Sequence, residues 1–80
     1  MKHVAFIGLG SNLADPIAQV LHAFEALENL PQTQVLRHSS LYRSAPVGYL
    51  EQPDFINAVA QLETGLAPRE LLEMLLALEH

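Results

Sequence analysis

An aromatic ring and a carboxamide stand two positions apart at Phe55 and Asn57, in a segment that alternates like a β-strand. Because side chains at positions i and i+2 of a strand project from the same face, these two would lie side by side. The ring can stack on a planar ligand, and the amide offers a donor group and an acceptor to its edge. The pair suits a flat heteroaromatic ligand, although a core phenylalanine beside a solvated asparagine explains the same residues.

A long loop from Arg43 to Pro53 precedes this pair. Hairpin loops usually have two to five residues, so a connection of about twice that length is either a binding lid or a disordered segment. Its proline, valine, glycine and tyrosine are not typical of disorder. The composition therefore predicts a lid beside Phe55 and Asn57.

A glycine-rich segment, Gly8 to Asn12, follows the apolar start of the chain. Glycines allow backbone amides to approach a phosphate closely. The segment lacks the Gly-Lys-Ser/Thr end of a P-loop and the third glycine of a dinucleotide fingerprint. The simpler prediction is a tight turn that needs positive φ, with Asn12 bonded to its own backbone.

Composition excludes several classes of protein. The formal net charge is −5, and the four Lys and Arg residues are scattered, whereas a nucleic-acid surface needs clustered positive charge. No apolar run is long enough for a signal-peptide core or a membrane span, and there are no cysteines, so we expect a soluble, cytoplasmic protein. The histidines show no metal-ligand spacing.

Periodicity predicts the first half of the fold. A buried strand runs from His3 to Leu9, and Asp15 caps a helix that Pro16 begins. A second strand is predicted from Gln34 to Tyr42. The apolar face of the helix is expected to consist of Ile17, Val20, Leu21, Phe24 and Leu27.

The second half continues with a strand from Phe55 to Glu63 and a helix that begins at Pro68. The buried stripe of this helix is expected to be Leu71, Leu72, Leu75 and Leu78. The order β-α-β-β-α makes five of the six elements of the ferredoxin-like unit. The sequence therefore predicts a ferredoxin-like α+β fold with the final strand missing. We expect the chain to be cut short, since it ends within a helical pattern without a stop signal.

Four motifs in order resemble one known family, the 6-hydroxymethyl-7,8-dihydropterin pyrophosphokinases of folate synthesis. The resemblance runs through the whole chain, which would be the amino-terminal part (residues 1–80) of a single pyrophosphokinase domain. It rests on Gly10-Ser11-Asn12-Leu13, Ser39-Ser40-Leu41-Tyr42-Arg43-Ser44-Ala45-Pro46-Val47-Gly48, Gln52-Pro53-Asp54-Phe55-Ile56-Asn57-Ala58, and Leu62-Glu63-Thr64 with Leu71-Leu72 downstream.

The resemblance implies transfer of pyrophosphate from ATP to the hydroxymethyl group of a reduced pterin, with two Mg²⁺ ions. Ser44, Ala45 and Val47 would hold the pterin through their backbone, while Phe55 would stack on it and Asn57 would hydrogen-bond it. On the nucleotide side the resemblance implies Leu72 and Glu79.

The family's magnesium-binding D-x-D motif and its G-R-x-R segment would lie beyond residue 80, so we expect this chain alone to be inactive. Two alternatives remain open. One is a non-enzymatic ferredoxin-like ligand-binding or regulatory module that pairs with a second chain. The other is a fragment whose unpaired sheet edge drives self-association.

Overall fold

The structure, a computed structural model, describes residues 2–46, 48 and 52–77. The six elements are β1 (His3–Ser11), α1 (Pro16–Glu28), β2 (Thr33–His38), β3 (Tyr42–Ser44), β4 (Phe55–Thr64) and α2 (Pro68–Ala77). The four strands form one antiparallel sheet in which β4 pairs with β1 on one side and with β2 and β3 on the other. The predicted α+β class and ferredoxin-like order are confirmed.

The second predicted strand is divided in two. Instead of one strand from Gln34 to Tyr42, β2 ends at His38 and β3 begins at Tyr42. Ser39 causes the break, because its backbone N–H donates to the Val59 carbonyl at 2.8 Å while its Oγ accepts from the Val59 N–H at 2.8 Å. A side-chain oxygen thus replaces a ladder carbonyl, and the backbone departs from the regular ladder at this point.

Helix α1 begins as predicted. The Asp15 side chain accepts a hydrogen bond from the Ala18 N–H at 3.4 Å, and Pro16 occupies the first turn. Ile17 and Leu21 are exposed, so the predicted apolar face is wider than the buried one.

One face of the sheet carries the core. The alternate residues of β4 that face α1 are buried, as the period-2 pattern predicts. In α2, however, Leu71 is buried whereas Leu72 is exposed, so the prediction of a buried Leu72 is wrong. Leu78 lies outside the described residues. The core consists of Val20, Phe24, Leu27, Leu30, Ile56, Ala58, Ala60, Leu62, Leu66 and Leu71.

A chain of hydrogen bonds closes one end of this core around Thr64, a buried polar side chain that is 1% exposed. The Leu66 N–H donates to Thr64 Oγ1 at 3.1 Å, and Thr64 Oγ1 lies 2.7 Å from Thr33 Oγ1. The Thr33 hydroxyl donates to the Pro31 carbonyl at 2.8 Å. Since the proton of Thr33 is used there, Thr64 donates to Thr33, and both threonine hydroxyl protons have an acceptor.

The outer edge of β1 has no pairing strand among the described residues, because β1 stands at the end of the sheet order. Self-association through this edge stays a prediction. Neither helix in the part of the chain that the structure describes is long and apolar enough to cross a membrane.

Candidate functional site

The face of the sheet opposite the helices is open. It consists of the residues that alternate with the buried ones, and large apolar side chains on it are exposed, such as Phe6 at 66%. No helix covers this open face among the residues described, since the buried residues of α1 and α2 join the core on the other side. Its members include Val4, Phe6, Gly8, Gly10, Tyr42, Ser44, Phe55, Asn57, Val59 and Gln61.

Phe55 and Asn57 lie on this open face, since Ile56 between them is buried in the core. Both side chains are half-buried, so each keeps solvent-accessible surface. In register, Phe55 stands opposite Ser44 of β3, and Asn57 stands opposite Gly10 of β1. The expected side-by-side arrangement is therefore present, and the ligand role of the two residues stays a prediction.

A hydrogen bond joins two of the predicted residues across the strands. Asn57 Nδ2 donates to Ser44 Oγ at 2.7 Å, which is short for an N–H···O contact. Ala45 follows directly and is exposed. Val47 and three other residues of the predicted lid between Arg43 and Pro53 lie outside the described residues, so the lid stays a prediction.

The glycine-rich segment is strand, not turn. Gly8 and Gly10 lie within β1, which continues to Ser11, and Gly48 is the glycine with positive φ among those described. The prediction of a positive-φ turn is wrong because pairing with β4 keeps the segment extended. Asn12 does not bond its own backbone either: its Nδ2 contacts the Pro53 carbonyl at 3.5 Å, and Ser11 Oγ accepts from the Leu13 N–H at 3.3 Å.

Gly10 lies beside Asn57 in the candidate site, although the sequence pattern predicted only a tight turn at this position. A Cβ placed on Gly10 would lie 2.9 Å from Asn57 Oδ1, closer than real Cβ atoms come to an oxygen. A Cβ on Gly8, two residues earlier on the same face, would meet nothing within 4 Å. The signal that would have identified Gly10 is its register with Asn57, which sequence alone does not give.

The side chains around Asn57 carry no formal charge. The residues of the open face nearest to it in register are Gly8, Gly10, Tyr42, Ser44, Phe55 and Val59. Charged side chains contact this face farther along β4, where Arg37 Nε donates to Gln61 Oε1 at 2.6 Å and Lys2 pairs with Glu63 at 3.2 Å. The surface thus offers an aromatic side chain, an amide and a hydroxyl, which suit a neutral planar molecule.

Leu72 is not brought together with the other predicted residues. It lies on α2, on the helix side of the sheet, and lines a groove of about 830 Å³ between β1, α1 and α2. Leu75 and Leu76 line the same groove. Glu79 lies outside the described residues, so the predicted nucleotide side is represented here by Leu72 alone.

Residues 2–46, 48 and 52–77 contain no group of three His, Asp or Glu side chains able to hold a metal ion. These residues therefore do not fit a magnesium site.

Comparison with known proteins identifies relatives across nearly the whole chain. The model of the family described as 7,8-dihydro-6-hydroxymethylpterin-pyrophosphokinase matches residues 6–80. Curated proteins named 2-amino-4-hydroxy-6-hydroxymethyldihydropteridine pyrophosphokinase are similar to it. The protein from Pseudomonas aeruginosa is 49% identical over 74 residues, which are 92% of this chain and 46% of that protein.

Two further relatives carry the same name. The Haemophilus influenzae protein is 45% identical over 76 residues, 95% of this chain and 48% of its own length. The Bacillus subtilis protein is 36% identical over 80 residues, 100% of this chain and 48% of its own length. The chain thus spans about half the length of these curated relatives.

Proposed function

Because the chain belongs to the 7,8-dihydro-6-hydroxymethylpterin-pyrophosphokinase family, we propose that it forms part of an enzyme that transfers pyrophosphate from ATP to a reduced pterin. The acceptor is the hydroxymethyl group of 6-hydroxymethyl-7,8-dihydropterin. The observation that carries this proposal is the placement of Phe55 and Asn57 together on the open face of β4.

The pterin is bound on this face through its ring and its polar edge. The Phe55 side chain supplies an aromatic surface for stacking. The pterin ring is a fused heterocycle with an amide-like N–H and C=O along one edge, so it needs an acceptor and a donor side by side. Asn57 has both, since its Nδ2 has a second hydrogen after one is donated to Ser44. We assign backbone contacts with the same pterin to Ser44, Ala45 and Val47, as the family resemblance implies.

Helix α2 supplies the described residue that is assigned to the nucleotide. We assign Leu72 of α2 and Glu79 to ATP contacts, as the family resemblance implies. Support from the structure is limited to Leu72, whose side chain is 56% exposed and lines the groove beside β1.

Magnesium is the metal expected with ATP, and its ligands would come from outside the described residues, which do not form a site for it. Phosphoryl transfer depends on positioning and on neutralisation of charge. The described residues contribute the first of these: they hold and orient the pterin. The cytoplasm is the expected compartment.

Replacing Asn57 with alanine in the full-length protein tests the proposal. The variant loses the amide that contacts the pterin edge, and the ligand groups left unpaired make the loss about 2–3 kcal/mol, or roughly 30- to 150-fold in Kd. Binding of a non-hydrolysable ATP analogue should not change. Titration calorimetry with each ligand separates the two effects.

Gln61→Ala is the matched control, because Gln61 is an amide on the same face of the same strand and is held by Arg37. It should leave pterin binding unchanged. Equal losses of pterin and nucleotide affinity in Asn57→Ala would contradict the assigned site. A wild-type protein that binds the pterin but forms no AMP from ATP would favour the non-enzymatic module instead.

A further inference from the structure

The amide of Asn57 is held between two neighbouring strands. On the β3 side its Nδ2 donates to Ser44 Oγ at 2.7 Å. On the β1 side its Oδ1 faces Gly10, where a Cβ would stand only 2.9 Å away. The nitrogen is therefore directed towards β3 and the oxygen towards β1.

An asparagine amide without such contacts is free to turn about the terminal torsion of its side chain. That torsion is broad, so the plane of the amide would take many angles. At most of these angles the amide does not meet the edge of a planar ligand. A contact that fixes the plane of the amide before binding therefore raises affinity by removing an ordering cost.

We propose that the Ser44 hydroxyl is a positioning residue that fixes the plane of the Asn57 amide, so that the amide meets the edge of the pterin without first having to be ordered. The inference rests on the proposed function and adds to it. The family resemblance assigns Ser44 a backbone contact only, whereas the structure gives its hydroxyl a separate role. Gly10 supports that role because the absence of its side chain leaves room for Oδ1.

Ser44→Ala removes the hydroxyl and keeps the backbone. Because one hydrogen bond to a neutral group is lost and Asn57 itself remains, pterin Kd should rise roughly three- to tenfold, less than in Asn57→Ala. In the ligand-free protein, the two side-chain amide proton resonances of Asn57 should move towards those of a solvated asparagine. Ser44→Thr retains the hydroxyl on an exposed strand and should restore both the affinity and the resonances.

Ser40→Ala is the matched control, since Ser40 is exposed on the same stretch of chain and its hydroxyl takes part in none of the described hydrogen bonds. The experiment uses the full-length protein, with calorimetry for the pterin and NMR for the Asn57 amide. The proposal is overturned by a Ser44→Ala variant with unchanged Asn57 resonances and unchanged Kd. It is equally overturned if Ser44→Thr is as weak as Ser44→Ala.

Failure of the proposed function gives a different result. A wild-type protein that does not bind the pterin at all contradicts the proposed function, and with it the predicted effect of Ser44 on pterin affinity. The contact between Ser44 and Asn57 is still decided in that case, because the amide resonances are measured without ligand.

Discussion

Replacing Gly10 with alanine should weaken pterin binding while leaving the fold intact. The new methyl group would lie 2.9 Å from Asn57 Oδ1, about 0.5 Å short of an ordinary contact at 3.4 Å. Because the obstructing atom ends a side chain, the amide can move away. Its movement distorts the 2.7 Å hydrogen bond to Ser44 and displaces the group that contacts the ligand.

The magnitude follows from two opposing terms. Loss of the hydrogen bond costs about 1 kcal/mol, whereas a glycine-to-alanine change in a strand contributes about 0.5–1 kcal/mol by restricting the unfolded chain. The free energy of unfolding of Gly10→Ala should thus stay within about 0.5 kcal/mol of wild type. Pterin Kd should rise roughly tenfold or more, since an amide displaced by this distance no longer meets the ring edge.

Gly8→Ala is the control, because it makes the same change on the same face of β1 with nothing within 4 Å of the new Cβ. This variant should gain about 0.5–1 kcal/mol of stability, which is a few degrees in Tm, and bind the pterin normally. Denaturant unfolding and calorimetry measure the two quantities. In an Asn57→Ala background, where the obstructing oxygen is absent, Gly10→Ala should behave like Gly8→Ala.

The assigned contact between Gly10 and Asn57 is refuted if Gly8→Ala and Gly10→Ala have the same stability and the same pterin affinity. It is also refuted if the difference between them persists after Asn57 is removed, since the obstructing atom would then lie elsewhere.

Two other variants test the core and the nucleotide side. Thr64→Val removes the hydroxyl that Leu66 and Thr33 share and leaves the Leu66 N–H without a partner, so the free energy of unfolding in denaturant titrations should fall by about 2–3 kcal/mol. Thr33→Val leaves that N–H bonded and should lower the free energy of unfolding by a smaller amount. Equal losses in the two variants would contradict the assigned order of hydrogen bonds. Leu72→Ala should raise the Kd for an ATP analogue severalfold and leave pterin binding nearly unchanged. The stability should also change little, because the Leu72 side chain is exposed. A variant with normal nucleotide affinity would exclude Leu72 from the nucleotide site.

Local rules were enough for the parts of the fold that depend on neighbours in sequence. The period-2 pattern of Phe55 to Thr64 determines that Phe55 and Asn57 share a face opposite Ile56, because strand geometry alternates whatever lies beside it. Asp15 and Pro16 likewise begin α1, since capping involves only the first turn. The family motifs are equally legible, being short and contiguous.

Tertiary structure decided the contacts between segments that are distant in sequence. Gly10 is extended and not turned because it pairs with β4, and only that register places it beside Asn57. Ser44 meets Asn57 and Ser39 interrupts the edge for the same reason. Leu72 and Leu21 fit an apolar stripe yet are exposed, because periodicity gives the side of a helix and not what covers it. The spacing of residues in the sequence determines which side of a strand or helix each side chain faces. The register between strands and the burial of a face depend on which elements pack together.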